Sequence, residues 1–146
     1  MTLGKSFEID FKGSVPDEAY IRRVKDCGGW SNATNTKFTP KNDCDFLLFI
    51  NRRLYLLELK SHLGRSIPEK EIPQLEELVK VQKPFVLPCL VLNYRDYNLT
   101  YILSAQRATE CLQTRKSIPL SWCEDYGKVI PQTLKRTHYK YNLEIL

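Results

Sequence analysis

A mixed α/β fold, with a central mixed β-sheet flanked by helices, is what this sequence predicts, and three observations lead there. Two short apolar runs, residues 46–50 and 54–57, flank Asn51-Arg52-Arg53, the composition of a β-hairpin with a polar turn. Both runs are nearly continuous in apolar residues, so they read as strands buried on both faces at the centre of a sheet. Around them helical and extended periodicities alternate, in the order helix, hairpin, helix, strand, strand, helix. With 146 residues the chain is long enough to bury a proper core as one domain.

Composition narrows the class. Hydrophobic content of 42% and aromatic content of 11% fit a globular protein and argue against a disordered tail or a repeat array. No apolar run reaches bilayer length and the polar start has no signal-peptide core, so a cytoplasmic protein without a membrane partner is expected. The five cysteines, Cys27, Cys44, Cys89, Cys111 and Cys123, show no C-x-x-C spacing, and only two histidines could help them hold zinc. They read as small buried hydrophobes. A net charge of +5 is compatible with a polyanionic partner but does not demand one.

Taken in order, residues 1–13 alternate Phe7, Ile9 and Phe11 with Glu8, Asp10 and Lys12, which suggests a strand or an extended arm packed on another subunit. Ser14 or Asp17, with Pro16, opens an expected helix to about Cys27, whose Ala19, Tyr20, Val24 and Cys27 fall at helical spacing before Gly28-Gly29 ends it. Residues 30–42 are polar and read as a loop or short hairpin. After the central hairpin, residues 61–71 form a polar loop. Pro73 begins a helix over residues 74–82, with Leu75, Leu78 and Val79 on one face. Residues 85–92 are a strong strand in which Pro88 suggests an edge or a bulge. Another strand follows over residues 99–103. Ser104 then caps a helix over residues 105–114 with Ala108, Cys111 and Leu112 inward.

The chemistry gathers at the hairpin. Glu58 and Lys60 are two apart and project from one face of a strand. In an antiparallel hairpin the start of the first strand lies beside the end of the second, so Asp45 meets them. Two carboxylates that close repel, and a hard divalent cation relieves the repulsion. Mg²⁺ favours one or two carboxylates with waters and phosphate oxygens completing its shell. Asp43 is a rival for Asp45, one strand repeat earlier on the same face; Asp45 abuts the apolar strand.

Asp45 followed thirteen residues later by Glu58-Leu59-Lys60 across a hairpin resembles the D…(D/E)xK signature of the PD-(D/E)xK nuclease superfamily. The closer resemblance is to RecU-type Holliday junction resolvases. It is carried by Thr39-Pro40 ahead of Asp43-Cys44-Asp45-Phe46, by Gln74 after the E-x-K, and by Lys116-Ser117-Ile118-Pro119-Leu120-Ser121-Trp122 with Gly127. The resemblance implies a restriction-endonuclease-like core and a metal-dependent DNA endonuclease that hydrolyses phosphodiesters. Its ion would be Mg²⁺, with Mn²⁺ as the alternative, held by Asp45, Glu58 and Glu18, the last as the first-helix glutamate of such sites. Lys60 would position the attacking water and Gln74 would assist. A plain acid at a helix N-terminus is the other account of Glu18. The implied substrate is four-way junction DNA, and two opposed strands imply a homodimer. RecU proteins carry a longer stalk-forming insertion before the aspartate, and only residues 31–42 stand in its place. A nuclease acting on other DNA, or a non-catalytic DNA-binding protein, therefore stay as alternatives.

The expected DNA contacts are Lys37 and Lys41 on the approach to the site, His62 and Arg65 at its mouth, Arg22 on the first helix, and Lys116. For His62 and Arg22 a bystander role or a solvated helix face is the plainer account. Residues 115–146 interleave Arg115, Lys116, Lys128, Lys135, Arg136 and Lys140 with Trp122, Tyr126, Tyr139 and Tyr141. That mixture suits a nucleic-acid surface or, for the tyrosines, a tail folded onto the domain.

Overall fold

The computed structural model describes residues 1–24 and 44–146 together with the backbone of two short strands between them. The chain opens with a helix, not an extended arm. Helix α1 spans Leu3–Gly13 and is capped by Thr2, whose hydroxyl accepts a hydrogen bond from the Lys5 amide at 3.3 Å. Phe7 and Phe11, one turn apart, are buried, whereas Ile9 between them is 45% exposed. The two-residue alternation of Phe7, Ile9 and Phe11 was therefore the wrong period, and the four-residue spacing is the one used. Both rings pack within the chain itself against Tyr141, with Phe46 beside Phe11, so these residues are core.

The expected second helix is also replaced. Strand β1 (Tyr20–Arg23) pairs antiparallel with β4 (Phe46–Ile50), placing Ile21 opposite Leu48 and Arg23 opposite Phe46. The Val24 amide extends the ladder to the Asp45 carbonyl at 2.8 Å. Pairing satisfies the outer polar groups of a central strand, and that tertiary gain overrides the helical spacing of Ala19, Tyr20 and Val24. Strands β2 (Gly29–Ser31) and β3 (Thr36–Phe38) form a separate hairpin, one of the two forms expected for the polar stretch. Cys27, Lys41 and Asp43 lie outside the described residues.

The core is a six-stranded mixed sheet in the order β1-β4-β5-β7-β8-β10. Its axis is β5 (Arg53–His62), antiparallel to β4 and parallel to β7 (Val86–Tyr94). A parallel pair needs a crossover. Here it runs through β6 (Ser66–Pro68), a 3₁₀ turn at Glu69–Glu71 and α2 (Leu75–Val79). Strand β8 (Leu99–Ser104) returns antiparallel to β7 and stops opposite Cys89, so Pro88 lies past its end. Pro88 is thus edge-like on that side of an interior strand. Ser104 caps α3 (Ala105–Leu112), its hydroxyl accepting from the Arg107 amide at 3.2 Å.

Strand β9 (Ser117–Pro119) pairs with β6, and α4 (Leu120–Tyr126) leads to the edge strand β10 (Lys128–Val129). Gly127 sits between them; a Cβ there would meet the Cys123 carbonyl at 2.8 Å and the Ile102 carbonyl at 3.1 Å. The chain ends in a two-stranded ribbon, β11 (Gln132–Lys135) and β12 (His138–Tyr141), and a last 3₁₀ turn.

Two apolar layers sandwich the sheet. On one face α1 and the ribbon cover Phe46, Leu48, Leu57, Leu59 and Val91. On the other, α2, α3 and α4 cover Leu90, Leu92, Tyr94 and Leu103. Because side chains alternate along β5, Leu57 and Leu59 face α1 while Glu58 and Lys60 face the three-helix side. That second layer is incomplete over β1 and β4, where the directly paired Tyr20 and Phe49 are 58% and 49% exposed. Strand β4 is thus buried on both faces along only part of its length. Cys44, Cys89, Cys111 and Cys123 are buried free thiols, as small hydrophobes would be. No helix among the described residues is long and apolar enough to cross a membrane.

Candidate active site

Register brings the first three candidate residues together. Phe46 pairs with Leu57, so one step back along β4 sets Asp45 beside Glu58. The backbone holds this end closed: the Asp45 amide donates to the Leu57 carbonyl at 2.9 Å, and the Leu59 amide donates to Asp45 Oδ2 at 2.8 Å. Lys60 Nζ lies 3.1 Å from Glu58 Oε1. Glu58 is the most enclosed of the group, at 2% exposure, while Lys60 reaches partly into solvent.

Burial drives the electrostatics. Loss of water, and then the Asp45 charge, push the Glu58 carboxyl up to about 7, against the opposing pull of Lys60. A third carboxylate feels the same field. Glu8, from α1, is raised by burial and by Asp45, while Arg23, Lys60 and Lys5 draw it down. Arg23 Nη1 stands 3.2 Å from Glu8 Oε2 and fixes that side chain at the sheet edge. Glu8 in turn raises Glu58.

A residue not among the sequence candidates, Glu8, acts on Glu58. Glu18 is not on a helix but exposed in the turn before β1. Glu8 was missed because residues 1–13 were read with the period of a strand. The signal lay in Thr2 followed by Leu3, Phe7 and Phe11 at four-residue steps, which marks a capped amphipathic helix.

The remaining candidates spread outward from this centre. Gln74 precedes the first turn of α2, and its enclosed Oε1 has no hydrogen-bond partner among the described residues. A buried acceptor left open is costly, and a water or ligand group would satisfy it. His62 continues the Glu58 and Lys60 face of β5 and pairs with Glu71, Nδ1 to Oε2, at 3.3 Å. Arg22 is exposed on β1 opposite Leu47. Arg65 and Lys116 are exposed at opposite ends of the β6–β9 ribbon, where their carbonyls accept from Leu120 and Glu69 at 2.9 Å each. Lys37 is in β3, opposite Trp30. Side-chain placement for Lys37, and all of Lys41 and the rival Asp43, lie outside the described residues.

Burial first and the Asp45 charge second raise both Glu58 and Glu8, and carboxylate oxygens are the kind of donor a hard divalent ion takes. Among the described residues no three His, Cys, Asp or Glu side chains close a metal cage by themselves. The sequence matches no protein-family model and no curated protein.

Proposed function

We propose that this protein is a metal-dependent endodeoxyribonuclease of the PD-(D/E)xK type, acting in the cytoplasm as a Holliday junction resolvase that nicks four-way DNA. One observation carries the reading. A buried carboxylate, Glu58, shares one end of the sheet with Asp45 and with a lysine 3.1 Å away. A binding surface for phosphate gains nothing from buried carboxylates, which repel it unless a cation lies between.

Asp45 and Glu58 would hold Mg²⁺ or Mn²⁺, with Glu8 adding negative charge from α1. When bound, such an ion acidifies a water and stabilises charge building on a phosphate. Lys60, anchored on Glu58 and open to solvent on its far side, orients the attacking water or neutralises the phosphate. Glu58 must be ionised to hold an ion, and the Lys60 ammonium favours that state. Gln74 offers its open acceptor to a water. Two opposed strands need two sites, so a symmetric homodimer is part of the proposal. The exposed Tyr20–Phe49 pair beside β1, an edge strand among the described residues, is the apolar surface that favours one.

The test is cleavage of a labelled four-way junction beside a linear duplex of the same sequence, with Mg²⁺, with chelator, and with Lys60→Ala. Symmetric nicks in the junction alone, lost with chelator and in Lys60→Ala, are expected. Equal cutting of both substrates would keep the nuclease and discard junction specificity. Binding without cutting would favour a non-catalytic DNA-binding protein.

A further inference from the structure

The β11–β12 ribbon stands outside the main sheet, on the α1 side. Its pairing sorts it into two faces. Gln132, Leu134, Tyr139 and Tyr141 share one, and Tyr141 is buried there against Phe7 and Phe11. Thr133, Lys135, His138 and Lys140 share the other and are all exposed. Arg136 occupies the tip, and Leu134 beside it is 56% exposed. Residues 132–142 contain no aspartate or glutamate.

Lys135 stands opposite His138, whose Nδ1 lies 2.7 Å from Asp10 Oδ1, and Lys140 stands opposite Thr133. Among the described residues no carboxylate pairs with Lys135, Arg136 or Lys140. Meanwhile two buried polar side chains are spent on holding the ribbon in place. Asp10 Oδ2 accepts from the Tyr139 amide at 3.0 Å, and Ser14 Oγ accepts from the Tyr141 amide at 2.9 Å. The Tyr139 hydroxyl donates to Asn98 at 2.9 Å. Arg136 itself sits at φ 59°, the left-handed region where glycine is at ease and a long side chain is not.

We infer that the β11–β12 ribbon is a grip for the phosphate backbone of duplex DNA, separate from the carboxylate site, with Lys135, Arg136 and Lys140 as its contacts. The face carrying Lys135 and Lys140 points outward because Tyr141, on the other, is buried. Anchoring on α1 pre-organises it, so little ordering is needed on binding. The ribbon covers the opposite sheet face from the one Glu58 and Lys60 project from. This deepens the nuclease reading and rests on it for the identity of the polyanion.

Binding of a short fluorescein-labelled duplex, followed by anisotropy in chelator across a salt series, tests this. Each phosphate contact removed lowers the slope of log affinity against log salt by about 0.9. Arg136→Gly should lose about one such contact and weaken binding about 5-fold at physiological salt, and Lys135→Gln with Lys140→Gln about two, weakening it about 30-fold. Arg136→Gly should melt no lower than the natural protein, because glycine suits that backbone. Unchanged affinity and slope in both variants would overturn the ribbon grip. So would ribbon-dependent binding to phosphatidylserine vesicles with DNA binding intact. Failures of the two readings separate cleanly. Cleavage lost in Lys60→Ala beside unaltered binding in the ribbon variants sinks the ribbon alone. Ribbon-dependent binding without any cleavage sinks the nuclease alone.

Discussion

At the scale of the residue, Glu58 makes the sharpest demand on the protein. Its carboxyl is raised from 4.5 to about 7 by burial and by Asp45. The folded state thus holds the proton more tightly than the unfolded chain. The stability this contributes is complete below pH 4.5 and is lost as pH climbs through about 7. A shift of that size corresponds to about 3 kcal/mol. In chelator, Glu58→Gln should therefore gain on the natural protein by about that amount between pH 4.5 and 8, read from urea midpoints at each pH. Parallel pH curves for the two proteins would show that burial does not weigh on this carboxylate. Asp45, Glu58 and Lys60 were legible in the sequence because the two-residue strand period and the hairpin register survive folding unchanged. Glu8 was not, because a charge is only as well placed as the element carrying it.

At the scale of the element, the central hairpin is the clearest case. Its turn is shorter than the polar triplet suggested: Arg53 already pairs with Ile50, leaving Asn51 and Arg52 at φ 50° and 63°. Two left-handed residues suit the twist of a tight hairpin, and Asn-Gly is the sequence that adopts it most easily. Arg52→Gly should accordingly stabilise the protein by about 1 kcal/mol, seen as a higher melting temperature. Helix α1 makes the opposite point. Phe11 is fully buried among Phe7, Phe46 and Tyr141. Phe11→Ala should cost about 3–5 kcal/mol, where a free arm would lose almost nothing. The β5, β7 and β8 strands and the Ser104-capped helix were legible because propensity, period and caps agreed there. Residues 1–13 and 17–24 were not. In the first, two periods share Phe7 and Phe11, and only burial of one face decides. In the second, the need of β4 for an outer partner outweighed local spacing. The C-terminal ribbon gave no local signal of pairing, since its strands are short and mostly solvated.

At the scale of the whole molecule, the layer of α2, α3 and α4 thins toward β1 and β4, where Tyr20 and Phe49 are exposed. Burial raises Glu58, and an opening on that side would admit the substrate proposed for it. This position couples the chemistry proposed for the site to global stability. Without a cation, ionised Glu58 faces Asp45 and Glu8 in a dry setting, and the fold carries that repulsion. A divalent cation bound to the folded state alone stabilises it by mass action, about 2.7 kcal/mol at one hundred times its dissociation constant. For a chain of this size that is a rise of about 5–10 °C in melting temperature. The rise should be larger at pH 8 than at pH 5.5, because at the lower pH a proton must first leave Glu58, whose value is about 7. Differential scanning fluorimetry with Mg²⁺ or Mn²⁺ at both pH values reads it directly. Asp45→Asn and Glu58→Gln should each abolish most of the shift, while Glu18→Gln should leave it intact. An equal shift in all three variants would mean that the cation binds elsewhere on the protein. The Asp45–Glu58 pair would then be a buried charge cluster with no ion to relieve it.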